Sequence, residues 1–141
     1  MSDLGYEGDL TPDQCWGILE NEKKSFLVDC RTSSEWQFVG FPDLYSLNKK
    51  TVFIEWLCLP NMVFNENFLD DIKKSEISPN DKIILICRTG SRSKSAAEYL
   101  TTNGFKLCYN CLDGFEGVHD QNEHRGKVSG WKFSNLPWKQ M

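Results

Sequence analysis

The stretch that most constrains this fold is Lys82-Ile-Ile-Leu-Ile86, which runs straight into Cys87. Ile83 to Ile86 form an unbroken apolar run with no polar face, so a strand here has to be covered on both sides. A turn sequence, Ser78-Pro-Asn-Asp81, precedes it. A helical pattern follows over Ser93–Asn103, closed by Gly104 just past its end. A covered strand leading into a helix is the repeating unit of a parallel sheet.

The rest of the chain fits that unit. Leu10 to Asn21 reads as a helix with Thr11 as its cap, Pro12 in its first turn, and Cys15, Ile18 and Leu19 on one face. Ser25 to Cys30 is a short buried strand, and Ser34 to Phe38 is one helical turn. Thr51 to Trp56, rich in β-branched and aromatic residues, is predicted as a second strand. Asn65 to Lys74 is a helix with Phe68, Leu69 and Ile72 inward, and Phe105 to Asn110 begins a further strand. The expected fold is α/β, a mainly parallel central sheet with helices on both faces. In such sheets ligands gather at the C-terminal ends of the strands. Two abrupt transitions fall there, Val28-Asp-Cys-Arg31 and Ile86-Cys-Arg-Thr-Gly-Ser-Arg92.

The 141 residues are expected to form a single domain with its core over about 8–139. A net charge of -4 argues against a general nucleic-acid binder, so the cationic loop after Ile86 is a local feature. The apolar stretch Val52 to Phe64 is broken by Glu55, Pro60 and Asn61 and is too short for a bilayer. The first ten residues lack the basic-then-apolar pattern of a secretory leader. The six cysteines therefore read as reduced thiols in a cytoplasmic protein.

The chemistry concentrates in Cys87-Arg88-Thr89-Gly90-Ser91-Arg92. A thiol reacts as its thiolate, which a helix N-terminus and nearby cations favour. Gly90 relieves backbone strain, so the loop can turn several N–H groups on an anion. Arg88 and Arg92 add charge for an anionic substrate, and Thr89 and Ser91 add hydroxyl donors.

This loop resembles the active-site loop of rhodanese-type sulfurtransferases. Asp29-Cys-Arg-Thr-Ser-Ser-Glu-Trp36 is similar to that family's Asp-x-Arg-x-x-x-Glu-aromatic motif. Leu112-Asp-Gly-Phe-Glu-Gly117 and Gly130 to Trp138 look like the tail of its single-domain bacterial members. Where many members continue with a histidine after the Glu-aromatic pair, this chain has Gly40-Phe41-Pro42. The resemblance implies a rhodanese-like fold and a Cys87 nucleophile that takes a sulfane sulfur as a persulfide. It implies that Arg88 to Arg92 bind a small anionic donor such as thiosulfate, and that a thiol or cyanide accepts the sulfur. A sulfur-carrier protein is a further acceptor of this kind. It implies no metal and no organic cofactor, and neither nucleic acid nor membrane as a partner. Asp29, Arg31 and Glu35 are expected to buttress the loop, with Glu35 pairing to Arg31.

Two other readings stay open. Cysteine phosphatases and arsenate reductases share this architecture, but their phosphate loop is Cys-x5-Arg, one residue longer than the Cys-x4-Arg of Cys87 and Arg92. A catalytically silent binding module is the other. Cys30 is a candidate to resolve the persulfide, although a buried inert thiol is the favoured reading. Cys108-Tyr-Asn-Cys111 has the spacing of a metal or redox pair, but in a strand residues three apart point to opposite faces. His119, Asp120, Glu123 and His124 lie in a polar loop with no orienting pattern. Trp131, Pro137 and Trp138 read as a tail strapped over the domain.

Overall fold

The structure is a computed structural model that describes residues 5–140. Its centre is a five-stranded parallel sheet. In chain order the strands are β1 (Gly8–Leu10), β2 (Ser25–Asp29), β4 (Val52–Phe53), β7 (Lys82–Ile86) and β8 (Leu107–Cys111), and in space they run β1-β8-β7-β2-β4. The apolar strand β7 is central, paired on one side with β2 and on the other with β8.

Period-two alternation divides β7 between two cores. Ile83 and Leu85 join Val28, Cys30 and Cys108 under α3 (Phe68–Lys74) and α4 (Ser91–Thr102), which contribute Phe68, Ile72, Ala96, Ala97 and Leu100. Ile84 and Ile86 join Leu27 and Cys111 on the opposite face, under Cys15 and Leu19 of α1 (Pro12–Asn21) and under Phe115 and Trp131 from the C-terminal segment. Each β7 side chain from Ile83 to Ile86 is fully buried, and each such burial contributes roughly 1.5–3 kcal/mol. Cys108 and Cys111 lie in different cores, as strand alternation requires.

Thr11 caps α1 in a reciprocal capping box with Gln14, with Pro12 in the first turn. Thr32 caps α2 (Ser33–Phe38) in the same way with Glu35. The expected strand over Thr51 to Trp56 is cut to Val52–Phe53. Beyond Phe53 the register slips: Ile54 and Trp56 N–H donate to the consecutive carbonyls of Asp29 and Cys30 at 3.2 and 3.1 Å, and Glu55 between them accepts the Ser33 N–H at 2.9 Å. The chain then forms a small hairpin of β5 (Leu57–Cys58) and β6 (Val63–Phe64). The aromatics of this region serve two purposes. Trp56, Phe64, Phe68 and Tyr99 form an edge-on ring cluster, while Phe38, Leu59 and Val63 face outward. A third strand pair, β3 (Phe41–Pro42) with β9 (Trp138–Lys139), ties the tail to the domain. Trp131 is fully buried with its Nε1 donating to the Pro137 carbonyl, whereas Trp138 stays partly exposed at the sheet edge. Among the described residues no helix is long and apolar enough to cross a membrane.

Candidate active site

Cys87 follows directly from β7 and is 1% exposed. Its sulfur accepts the Gly90 N–H at 3.1 Å and lies 3.1 Å from the Ser93 hydroxyl. Gly90 has φ 111, a conformation that disfavours any side chain, and its carbonyl accepts the Lys94 N–H to start α4. The helix therefore begins at Ser91, two residues earlier than its sequence pattern predicts, and Ser91 and Arg92 sit in its first turn. Among the described residues no hydrogen-bond acceptor meets the N–H groups of Arg88, Thr89, Ser91 or Arg92. These N–H groups stand at a helix N-terminus, where unpaired donors carry partial positive charge, in the loop that follows the sulfur-bearing residue.

The loop carbonyls are held elsewhere. Phe115 N–H donates to the Cys87 carbonyl at 2.8 Å, and Glu116 N–H donates to that of Arg88 at 3.0 Å. This contact is possible because Gly114, at φ +60, lies so close that a Cβ there would overlap the Cys87 and Arg88 backbone. The Leu112 to Gly117 segment is thus a clamp that turns the loop's acceptors away and leaves its donors available.

The two arginines of the loop differ. Arg92 is locked in a two-pronged ion pair with Glu35, at 2.7 and 2.9 Å. Arg88 is about half exposed, with only a loose 3.4 Å contact to Glu116. Arg92 is therefore held in place by a second segment, whereas Arg88 is the less constrained of the two loop arginines. This corrects the expected pairing of Glu35 with Arg31. Burial works against the Glu35 charge, but the Arg92 hydrogen bonds and charge outweigh it and lower the Glu35 carboxyl below its ordinary range. Burial opposes the Arg92 charge as well, and the Glu35 pairing reverses that balance and raises Arg92.

Arg31 instead pairs with Asp29 through two contacts at 2.9 and 2.6 Å, both side chains fully buried, and also donates to the Gly40 carbonyl at 2.7 Å. Its guanidinium lies 4.4 Å over the Phe115 ring. Phe115 is the residue whose N–H holds the Cys87 carbonyl, so Asp29 and Arg31 reach the loop through the clamp.

Cys30 lies beside the site, fully buried, with its thiol donating to the Ile86 carbonyl at 3.4 Å. Burial first, then the neighbouring Cys87 and Asp29, raise its pKa well above an ordinary thiol. Burial pushes Cys108 up to about 11. Cys111 is raised by its hydrogen bond to Cys15 and by burial. All six cysteines are free.

Sequence reasoning missed Ser93, the buried hydroxyl that touches the sulfur, because it stands one residue beyond the Cys-x4-Arg motif. It also missed Asn110, which accepts from Ser93; a polar side chain inside the buried strand Leu107–Cys111 was the signal. Among the described residues no cluster of three or more metal-ligating side chains occurs.

A five-stranded parallel sheet with helices on both faces, and a cysteine loop at its C-terminal edge, define a rhodanese-like α/β fold. The family model described as the STR4 middle domain matches residues 8–141, and the chain belongs to that family. A Rickettsia conorii protein described as uncharacterized protein RC0915 is 41% identical over 130 residues, covering 89% of this chain and 92% of its own length. The crystal structure of Rv0390 from M. tuberculosis superposes with a TM-score of 0.88 at 43% identity, over 96% of this chain and 99% of that one. The thiosulfate sulfurtransferase GlpE of Actinobacillus pleuropneumoniae is 26% identical over 129 residues, spanning 92% of this chain and 90% of its own.

Proposed function

We propose that this protein is a sulfurtransferase that carries a sulfane sulfur as a persulfide on Cys87. The observation that carries the reading is the Cys87 sulfur at the floor of a tight loop, already holding the Gly90 N–H, with four further loop N–H groups unpaired beside it. That arrangement suits an anion centred on a sulfur bonded to the cysteine. The similarity to a thiosulfate sulfurtransferase over nearly the whole chain supports the same chemistry.

In the first half-reaction the Cys87 thiolate attacks the outer sulfur of thiosulfate. The new bond joins Cys87 Sγ to that sulfur, the bond to the sulfonate sulfur breaks, and its electron pair leaves with sulfite. The persulfide anion that remains takes the loop N–H groups as donors, as an oxyanion does in acyl transfer. Arg88 draws the anionic donor in. In the second half-reaction cyanide or a thiolate attacks the terminal sulfur and releases the Cys87 thiolate. The intermediate is covalent, so ping-pong kinetics follow. A small thiol or a sulfur-carrier protein fills the acceptor role in a cell.

Intact-mass measurement tests the proposal. Thiosulfate should add the mass of one sulfur atom, cyanide should remove it, and Cys87→Ser should block the addition in a folded protein. Equal loading of the Cys87→Ser variant would refute the assignment. Turnover of an aryl phosphate as efficient as that of thiosulfate, lost in the same variant, would transfer it to the phosphatase reading.

A further inference from the structure

Strands β1 and β8 pair in parallel with Asp9 directly beside Asn110. From that pair a continuous hydrogen-bond chain runs to the nucleophile. Tyr6 Oη donates to Asp9 Oδ1 at 2.6 Å, and Asn110 Nδ2 donates to the same oxygen at 3.1 Å. Ser93 Oγ donates to Asn110 Oδ1 at 2.5 Å and lies 3.1 Å from Cys87 Sγ. Asp9 is exposed at the rim, while Tyr6, Asn110, Ser93 and Cys87 are buried.

We propose that Asn110, anchored by Asp9, is a positioning residue that fixes the direction of the Ser93 hydroxyl proton and thereby restrains ionisation of the Cys87 thiol. The inference rests on the reading of Cys87 as the reacting thiolate.

The direction follows from donor and acceptor chemistry. A carboxylate only accepts, so the Asn110 amide must turn its NH2 to Asp9 and its oxygen to Ser93. Tyr6 reinforces this, because its proton is already committed to Asp9. Asn110 Oδ1 cannot donate, so the single Ser93 proton points at Asn110. The only proton left for the contact between Ser93 and Cys87 is the thiol's own. Ser93 therefore offers the sulfur an acceptor, which supports the protonated thiol. To stabilise the thiolate, Ser93 must swing its proton onto the sulfur and leave Asn110 Oδ1 buried without a donor. An amide passes no proton onward, so the chain orients and does not conduct.

The other charged or titratable groups around the sulfur are Cys30 after β2, the Glu35–Arg92 pair of α2 and α4, Arg88 with Glu116, and Cys111 and Asp113 at the end of β8. None is altered in the variants below.

The experiment is alkylation of the full chain by iodoacetamide across pH, with the modified residue mapped to Cys87 by mass spectrometry. Asn110→Leu should move the half-maximal rate to lower pH, and on the rising part of the profile raise the rate about tenfold, the size of one charge-assisted hydrogen bond gained. In a Ser93→Ala background the same substitution should have no effect, which a general loosening of the fold would not reproduce. Asp9→Asn and Asp9→Leu both remove the carboxylate charge, but only the second removes the acceptor that orients Asn110. Asp9→Leu should therefore alkylate at lower pH than Asp9→Asn. Asp9 is exposed, so this pair carries the test if Asn110→Leu does not fold. A shift that persists without Ser93, no shift in folded Asn110→Leu, or identical profiles for the two Asp9 variants would each overturn the proposal. Thiosulfate loading is measured on the same samples. Loading that fails while the alkylation shifts appear would refute the sulfurtransferase reading and leave the role of Asn110 standing.

Discussion

Two cysteines end two neighbouring strands on the same edge of the sheet. Cys30 follows β2, Cys87 follows β7, and the strands pair with Asp29 opposite Ile86, one residue before each thiol. Both sulfurs are buried, in the same core. Both face an oxygen that can accept the thiol proton, but only Cys87 also faces a donor. Cys30 gives its proton to a carbonyl and neighbours the Asp29 carboxylate. Cys87 receives an amide N–H at a helix N-terminus. Position in the fold does not make a nucleophile. The groups that face the sulfur do, and on the function proposed above they make the β2 end a support and the β7 end the reacting one.

The sharpest test of that contrast is selective alkylation of the native chain at neutral pH. Iodoacetamide should label Cys87 and leave Cys30 unmodified over the same period, a difference of orders of magnitude, because a thiol held above its ordinary pKa carries little thiolate. Equal labelling in the folded protein would erase the distinction between the two strand ends.

Stability should respond in the reverse sense. Arg31→Ala at the β2 end strands the Asp29 carboxylate in a fully buried site, and denaturant unfolding should show a loss of about 3–5 kcal/mol. Cys87→Ala should stay within about 1.5 kcal/mol of the native chain. A Cys87→Ala loss as large as that of Arg31→Ala would show that the β7 end is equally structural.

Glu35 joins the two ends through Arg92. Its carboxyl titrates lower folded than unfolded, so its contribution to stability is full above the unfolded value and is lost as pH falls through the lowered folded value. Glu35→Gln should flatten the acid limb of the stability profile below about pH 4.5. An unchanged acid limb would mean that the ion pair adds nothing to folding.

The smallest effect belongs to Arg88. Its ion pair with Glu116 is loose and its side chain half exposed, so Arg88→Ala should leave the melting temperature unchanged. It should raise KM for thiosulfate a few-fold, with the gap to the native chain closing as salt screens the attraction. A KM difference that does not depend on salt would assign Arg88 a contact role in place of a steering one.

The parts of this molecule that were legible in the sequence are those decided locally. The unbroken apolar run from Ile83 to Ile86 reads as a covered strand, and Thr11 followed by Pro12 reads as a helix start, and the structure has both. Cys87 stood out because strand, thiol, glycine and helix follow one another within a few residues. What escaped depends on residues distant in the chain. The strand predicted over Thr51 to Trp56 stops early because its register slips against the β2 end, where Ile54 and Trp56 donate to the consecutive carbonyls of Asp29 and Cys30, which Thr51 to Trp56 itself does not encode. Glu35 matched Arg31 by helical spacing, but Arg31 was already taken by Asp29 and Glu35 met Arg92 across the fold. Ser93 and Asn110 meet only because α4 lies along β8.

The clamp of Gly114, Phe115 and Glu116 bears on how far the site can be moved. The stretch Cys87 to Arg92 does not carry its own conformation; the Phe115 and Glu116 N–H groups hold the carbonyls of Cys87 and Arg88 from a separate part of the chain. The heritable unit of this site is several segments, of which the clamp is one and the Asp29 to Glu35 stretch another. A graft of Cys87 to Ser93 onto another α/β scaffold transfers a thiol without its setting. A graft that brings Leu112 to Gly117 with it transfers the hold on the Cys87 and Arg88 carbonyls but still leaves Arg92 without Glu35.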